Sequence, residues 1–208
     1  MTIKHHISIL IFALVSLIGC KSTAPKKKIL VQKNFGTHYP SDHLRGVDIH
    51  PENYATWSDI LRRVLSVACQ DSIPKVTFET DKEKKVVYFD NYCPEAYLCV
   101  LVKQKNILIM HNDSISKGGG KFYTIDSLAP FLKRDIENKG KDPLWSDHPN
   151  KLTIYLSYDD NSFENFESTL DTLTKTYEKL TERTDINILL DVKKELSPPP
   201  PPPSGMKN

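Results

Sequence analysis

From Trp57 onward the apolar residues change period several times, and this alternation limits the fold more than any other feature of the chain. Trp57, Ile60, Leu61, Val64, Leu65 and Ala68 recur at helical spacing, behind Thr56 and Asp59 in capping-box positions. The helix they predict stops before Pro74. Val76 and Phe78 then alternate with polar residues, and 86–89 follow a charged turn, which reads as a hairpin. A second, more continuously apolar hairpin is expected from 97–102 and 107–111, and a glycine-rich break from 117–121. Ile125, Leu128, Ala129, Leu132 and Ile136 mark a helix capped by Thr124. Leu152, Ile154 and Leu156 mark a strand. A long helix with Asn161 and Glu164 in capping-box positions carries Phe163, Phe166, Leu170, Leu173, Tyr177 and Leu180 as a narrow seam, and 186–192 is the last strand. From residue 97 the order is β-β-α-β-α-β. That predicts an α+β (mixed α/β) domain, a small mixed sheet under two covering helices, with the first helix and hairpin added N-terminally. The seam spans about two and a half heptads, short for a coiled coil, so it is expected to pack on its own domain.

The two ends stand apart from this pattern. Lys4 precedes an apolar run from Ile7 to Ile18, shorter than the roughly 20 residues of a membrane span but right for a signal-peptide core. The run closes in Leu17-Ile18-Gly19-Cys20, which resembles the lipobox of bacterial lipoproteins. That resemblance implies cleavage before Cys20 and acylation of its thiol, anchoring the chain in the membrane. No acid follows Cys20, which by resemblance to sorting signals favours the outer membrane, facing the periplasm. Residues 21–28 are small and basic and read as a tether, and 34–56 show no clear period. Pro198 to Pro203 form an uninterrupted proline run, a stiff polyproline segment that cannot join a core. The expected organisation is therefore a signal peptide over 1–19, a lipidated Cys20 with tether and lead-in over 20–56, one globular domain over 57–192, and a proline-rich, disordered tail over 193–208.

Composition narrows the function classes. A net charge of +2 on 208 residues gives no reason to expect a nucleic-acid partner. Beyond Cys20 the chain carries Cys69, Cys93 and Cys99. In an oxidising envelope these form either one disulfide, Cys93 with Cys99 as close neighbours, or three buried thiols. His38, Asp42, His43, Asp48 and His50 cluster in sequence, but their spacing fits no helix face, and they read as solvated side chains of a loop. Ser114-Ile115-Ser116-Lys117 matches the S-x-x-K pattern of acyl-enzymes, without the partner K-T-G motif. The glycines after it lack a P-loop ending and suit a loop with positive φ. No nucleophile, base and orienting group can be assembled from the sequence, and no cofactor is expected.

Residues 97–192 resemble the periplasmic domain of the ExbD/TolR biopolymer-transport proteins. The likeness lies in the opening hairpin at 97–111, Ile125-Asp126-Ser127-Leu128 at the first helix, the strand at 152–159 running into an acidic turn, Leu170-Asp171-Thr172-Leu173 in the second helix, and the closing strand at 186–190. Members of that family carry a transmembrane helix with a proton-handling aspartate, and their periplasmic domains dimerise. Here the apolar run has no acid, so the resemblance implies the folded domain without proton-driven activity. The expected function is a lipid-anchored, non-enzymatic binding or accessory module of an envelope transport or maintenance complex, homodimeric or joined to that complex. The alternative is an envelope hydrolase or metal-binding protein using residues 38–50.

Overall fold

The computed structural model describes residues 30–37, 45–95, 102–118 and 120–192. Within them the chain has a mixed α+β fold of two sheets and three α-helices. In chain order the elements are β1 (Val31–Phe35), β2 (Arg45–Asp48), α1 (Trp57–Ala68), β3 (Ser72–Glu79), β4 (Glu83–Tyr88), β5 (Ile107–His111), β6 (Ser114–Lys117), β7 (Tyr123–Thr124), α2 (Leu128–Asn138), β8 (Thr153–Ser157), α3 (Phe166–Thr181) and β9 (Asn187–Leu190).

The first sheet has the order β1-β4-β3-β2. Its centre is the expected β3–β4 hairpin, antiparallel with Val76 opposite Val87. Its edges correct the expectation of an irregular lead-in over 34–56. β1 lies parallel to β4, with Val31 opposite Glu83, and β2 lies parallel to β3, with Arg45 opposite Ser72. The folded unit therefore begins at Val31 rather than Trp57. Edge strands are held by their partners more than by their own pattern. Of β1 only Phe35 is fully buried, and β2 has no fully buried residue. Gly36 follows β1 with φ +132°, and a Cβ there would come within 2.8 Å of the Tyr88 Cβ, so the strand can lie this close only with glycine.

The second sheet has the order β7-β6-β5-β8-β9. β5, β8 and β9 run parallel, which their helical crossovers require, while β6 and β7 return antiparallel. Residues 97–101 of the expected 97–102 strand lie outside the described residues, and Val102 is not in a strand. The hairpin partner of β5 is β6, joined through Asn112 and Asp113, both at positive φ (44° and 60°). Two left-handed residues in a two-residue loop suit the right-handed twist of a hairpin, and Asn and Asp tolerate them best among residues with a Cβ.

One core unites these layers. Phe35, Val76 and Val87 of the first sheet, Leu108, Met110, Ile154, Leu156 and Ile188 of the second, and apolar faces of the three helices form a single buried cluster. The seam of α3 lies in it through Phe166, Leu170, Leu173 and Tyr177, as expected of a helix packed within its own domain. The same helix reaches the first sheet. Lys85 of β4 is fully buried, its ammonium 2.8 Å from Thr174 Oγ1, 2.9 Å from Asp171 Oδ1 and 5.2 Å from the centre of the Phe35 ring. A buried lysine persists only with such partners.

α1 is integral to the unit. Thr56 accepts from the Asp59 amide at 3.1 Å, while Asp160 receives the Ser58 amide at 2.9 Å and hydroxyl at 2.7 Å, placing a carboxylate at the positive end of the helix. Trp57 is buried against Tyr158 and Phe166, with ring centres 5.2 and 5.4 Å away. The loop before α3 is thus committed to α1. Phe166 opens α3 with no side-chain cap bond at Asn165, so the expected Asn161–Glu164 box does not form. Thr124 likewise makes no cap bond, since a 3-10 turn, Ile125–Ser127, leads into α2.

Candidate functional site

Cys20, Cys99, His38, Asp42 and His43 lie outside the described residues. Cys93 is bonded to Cys69, not to Cys99. The antiparallel hairpin is the physical reason: Lys75 lies opposite Tyr88, so the chain leaving β4 returns to where it entered β3. Cys69 stands six residues before Lys75 and Cys93 five after Tyr88, and their Cα atoms meet at 4.6 Å. Proximity along the chain pointed to the wrong partner because strand pairing, not separation, decides which thiols meet.

Asp48 is held by Lys75 Nζ at 2.5 Å and Thr77 Oγ1 at 2.6 Å. Burial pushes its pKa up, but these two hydrogen bonds outweigh that and leave it below the usual carboxylate value. His50 lies on the exposed Glu52, 3.3 Å away. Among the described residues no group of three His, Cys, Asp or Glu is arranged to hold a metal.

The S-x-x-K residues fall on β6, where side chains alternate. Ile115 joins the main core, placing Lys117 on that face and Ser114 on the other, so the two cannot act on one substrate. Lys117 instead pairs with Asp135 of α2 at 2.6 Å, with side chains 6% and 0% exposed. Asp135 Oδ1 also accepts the Ser146 amide at 2.8 Å, while Oδ2 has no hydrogen-bond partner among the described residues. Burial pushes the Lys117 pKa down and the Asp135 pKa up, each against the pull of the other's charge.

The structure also assembles a serine, a histidine and a carboxylate that no spacing along the chain joins. His111 and Ser157 end the parallel strands β5 and β8 in register, with Nδ1 3.1 Å from the Ser157 hydroxyl. His111 Nε2 lies 3.5 Å from Asp159, whose carboxylate Asn112 Nδ2 holds at 2.6 Å. This chain of contacts has the connectivity of a proton relay. As a nucleophile it is compromised, since Ser157 is only 2% exposed and its hydroxyl also lies 3.4 Å from the Met110 carbonyl. The signal for it was pairing: both strands were legible, but not their adjacency.

Several concavities lie among the described residues. A groove of about 520 Å³ runs beside α1, lined by Leu61, Leu65, Tyr92, Tyr155 and Leu189. Its lining is mostly apolar and aromatic, with Ser58, Arg62, Asn91 and Asp191 also contributing, and it has the volume of a small-ligand or peptide side-chain site. A smaller cavity lies where β6, α2 and the loop after α2 meet. Among the described residues no helix is long and apolar enough to cross a membrane. No family model, no curated protein and no solved structure matches this chain.

Proposed function

We propose that the protein is a bacterial lipoprotein, held in the envelope by acylated Cys20 and working as a non-enzymatic binding module of a transport or maintenance complex. The observation that carries the reading is the Cys69–Cys93 disulfide. A bond of this kind persists in oxidising compartments and is rare where thiols are kept reduced, so it agrees with an export signal that ends in a lipobox. The helix-linked parallel strands β5, β8 and β9 with α2 and α3 are compatible with an ExbD/TolR-like domain, whose relatives self-associate. On this reading the domain binds a second copy or an envelope component from the outer-membrane side of the periplasm.

Cys20→Ser tests the anchor. The variant should lose acyl labelling and leave the membrane fraction, and unchanged labelling and fractionation would refute the anchor. Cysteine alkylation in intact cells tests the compartment: Cys69 and Cys93 should be protected until reductant is added. Crosslinking from surface positions should capture a second copy or an envelope component. A hydrolase reading has one observation in its favour, the Ser157–His111–Asp159 chain. It would be supported by an ester-cleaving activity of the purified chain that is lost in Ser157→Ala.

A further inference from the structure

The end of β6, the exposed side of α2 and the loop after α2 enclose a cavity of about 270 Å³, to which Lys117, Lys121, Tyr123, Phe131, Arg134 and Trp145 contribute. No carboxylate is among the described residues that line it. The three cations are placed by rings. Lys117 Nζ lies 5.9 Å and Arg134 Cζ 5.5 Å from the centre of Trp145, and Lys121 Nζ lies 5.8 Å from the centre of Tyr123. Phe131 links the two aromatics, 5.6 Å from Trp145 and 5.1 Å from Tyr123. Lys117 is also paired with Asp135, whereas Lys121 and Arg134 rest on their rings with no ion pair among the described residues, so the donors of these two stay available.

The platform is rigid. Asn138 Nδ2 donates to the Asp142 and Ser146 carbonyls at 3.0 and 2.9 Å, and Asn138 Oδ1 takes the Asp142 amide at 2.8 Å. Asp135 and Asn106 hold the amides of Ser146 and Asp147. These bonds fix Trp145 before anything binds. At the floor, Lys117 is nine-tenths buried, and beyond the Asp135 contact its ammonium makes no hydrogen bond among the described residues. A buried ammonium with protons to spare on a cavity wall is a donor awaiting an acceptor. Beside it Gly118 sits at φ +67°, and nothing among the described residues lies within 4 Å of where a Cβ would be.

We propose that this cavity binds a small organic anion, a phosphate monoester or carboxylate on a single flat ring. The charged head sits among Lys117, Lys121 and Arg134, and the ring lies against Trp145 and Phe131. The volume is slightly below the roughly 300–1,000 Å³ of drug-sized sites, which limits the ligand to about one ring. Neither half of such a ligand uses the whole site: the head lacks the aromatic walls, and the ring lacks the cations.

The probes are phenyl phosphate and benzoate, added to the full chain labelled with nitrogen-15. The chain has two tryptophans, so its indole signals are separable, and Trp145→Phe assigns them. At least one probe should shift the Trp145 indole and leave that of buried Trp57 in place. Phenol and inorganic phosphate should bind at least about ten-fold more weakly than the better probe. Arg134→Gln and Lys121→Gln should each weaken binding by about ten-fold. Both side chains are exposed, so the melting temperature should not change. The proposal fails if neither probe moves the Trp145 signal at about 10 mM, a level that saturates sub-millimolar sites. It also fails if the double variant Lys121→Gln/Arg134→Gln binds as tightly as the natural chain.

Discussion

Removing Asp135 should cost more than removing Asp135 and Lys117 together. In Asp135→Asn the new side chain still accepts the Ser146 amide, so the main loss is the counter-ion of a lysine 6% exposed. That ammonium then stays charged without a partner or gives up its proton. From its ordinary value of 10.5, deprotonation at pH 7 costs about 5 kcal/mol, at about 1.4 kcal/mol per pH unit. This is a ceiling, and the expected loss is about 3–5 kcal/mol. Lys117→Met leaves a buried carboxylate whose ordinary value is 3.8, for which the same arithmetic gives a ceiling of about 4 kcal/mol. Lys117→Met/Asp135→Asn removes both charges and keeps the Ser146 bond. It should fall within about 1 kcal/mol of the natural chain or exceed it, because replacing a buried pair is often neutral or stabilising. Urea denaturation of the four chains at pH 7 gives the cycle. The reasoning fails if the double variant loses the sum of the single losses, or if either single loss is below about 1 kcal/mol. The pair also has a pH signature. Burial raises the Asp135 pKa above its unfolded value, so the stability it contributes is full below about pH 4 and is lost as pH rises through the folded value. Relative to the double variant, the natural chain should therefore weaken as pH rises from about 4 towards neutrality.

Three further outcomes can be measured. The Cys69–Cys93 bond closes a loop with a sequence separation of 24, so Cys69→Ala/Cys93→Ala should lose about 3.5 kcal/mol by the chain-entropy relation; an unchanged urea midpoint would count against a structural role. Leu173→Ala, at a fully buried position of α3, should cost about 2–5 kcal/mol in the monomer, whereas dissociation of a dimer with monomer stability intact would mean that the helix packs between chains. Phe35→Ala should cost about 3–5 kcal/mol, and a chain begun at Trp57 should lose cooperative unfolding; a full-strength transition from that fragment would return β1 and β2 to the status of tether.

Legibility in the sequence followed locality. α1 was readable because its apolar residues and Thr56 declare a helix within twelve positions, and the β3–β4 hairpin because its partners are neighbours. The α3 seam was readable from spacing alone. β1 and β2 were not, because Val-Gln-Lys-Asn-Phe and Arg-Gly-Val-Asp become strands only beside β4 and β3. β6 was hidden by its brevity, although Asn112-Asp113 offered a turn signal. For the sites the same limit applied more severely. Lys117 and Asp135, or His111 and Ser157, meet across strand and helix pairings that no spacing encodes.

The placement of β1 and β2 also bears on the order of folding. The two strands nearest the N-terminus are edges of a sheet whose centre is made later in the chain. Val31 waits for Glu83, 83 − 31 = 52 positions on, whereas Glu79 and Lys84 close the hairpin across five. The short closure costs less chain entropy and belongs to the nucleus, and the edges join a surface already formed. Destabilising β1 should then accelerate unfolding and leave the folding rate nearly unchanged, while destabilising the hairpin slows folding. Of the described elements, the two made first are then ordered last, on a template that does not exist when they are made.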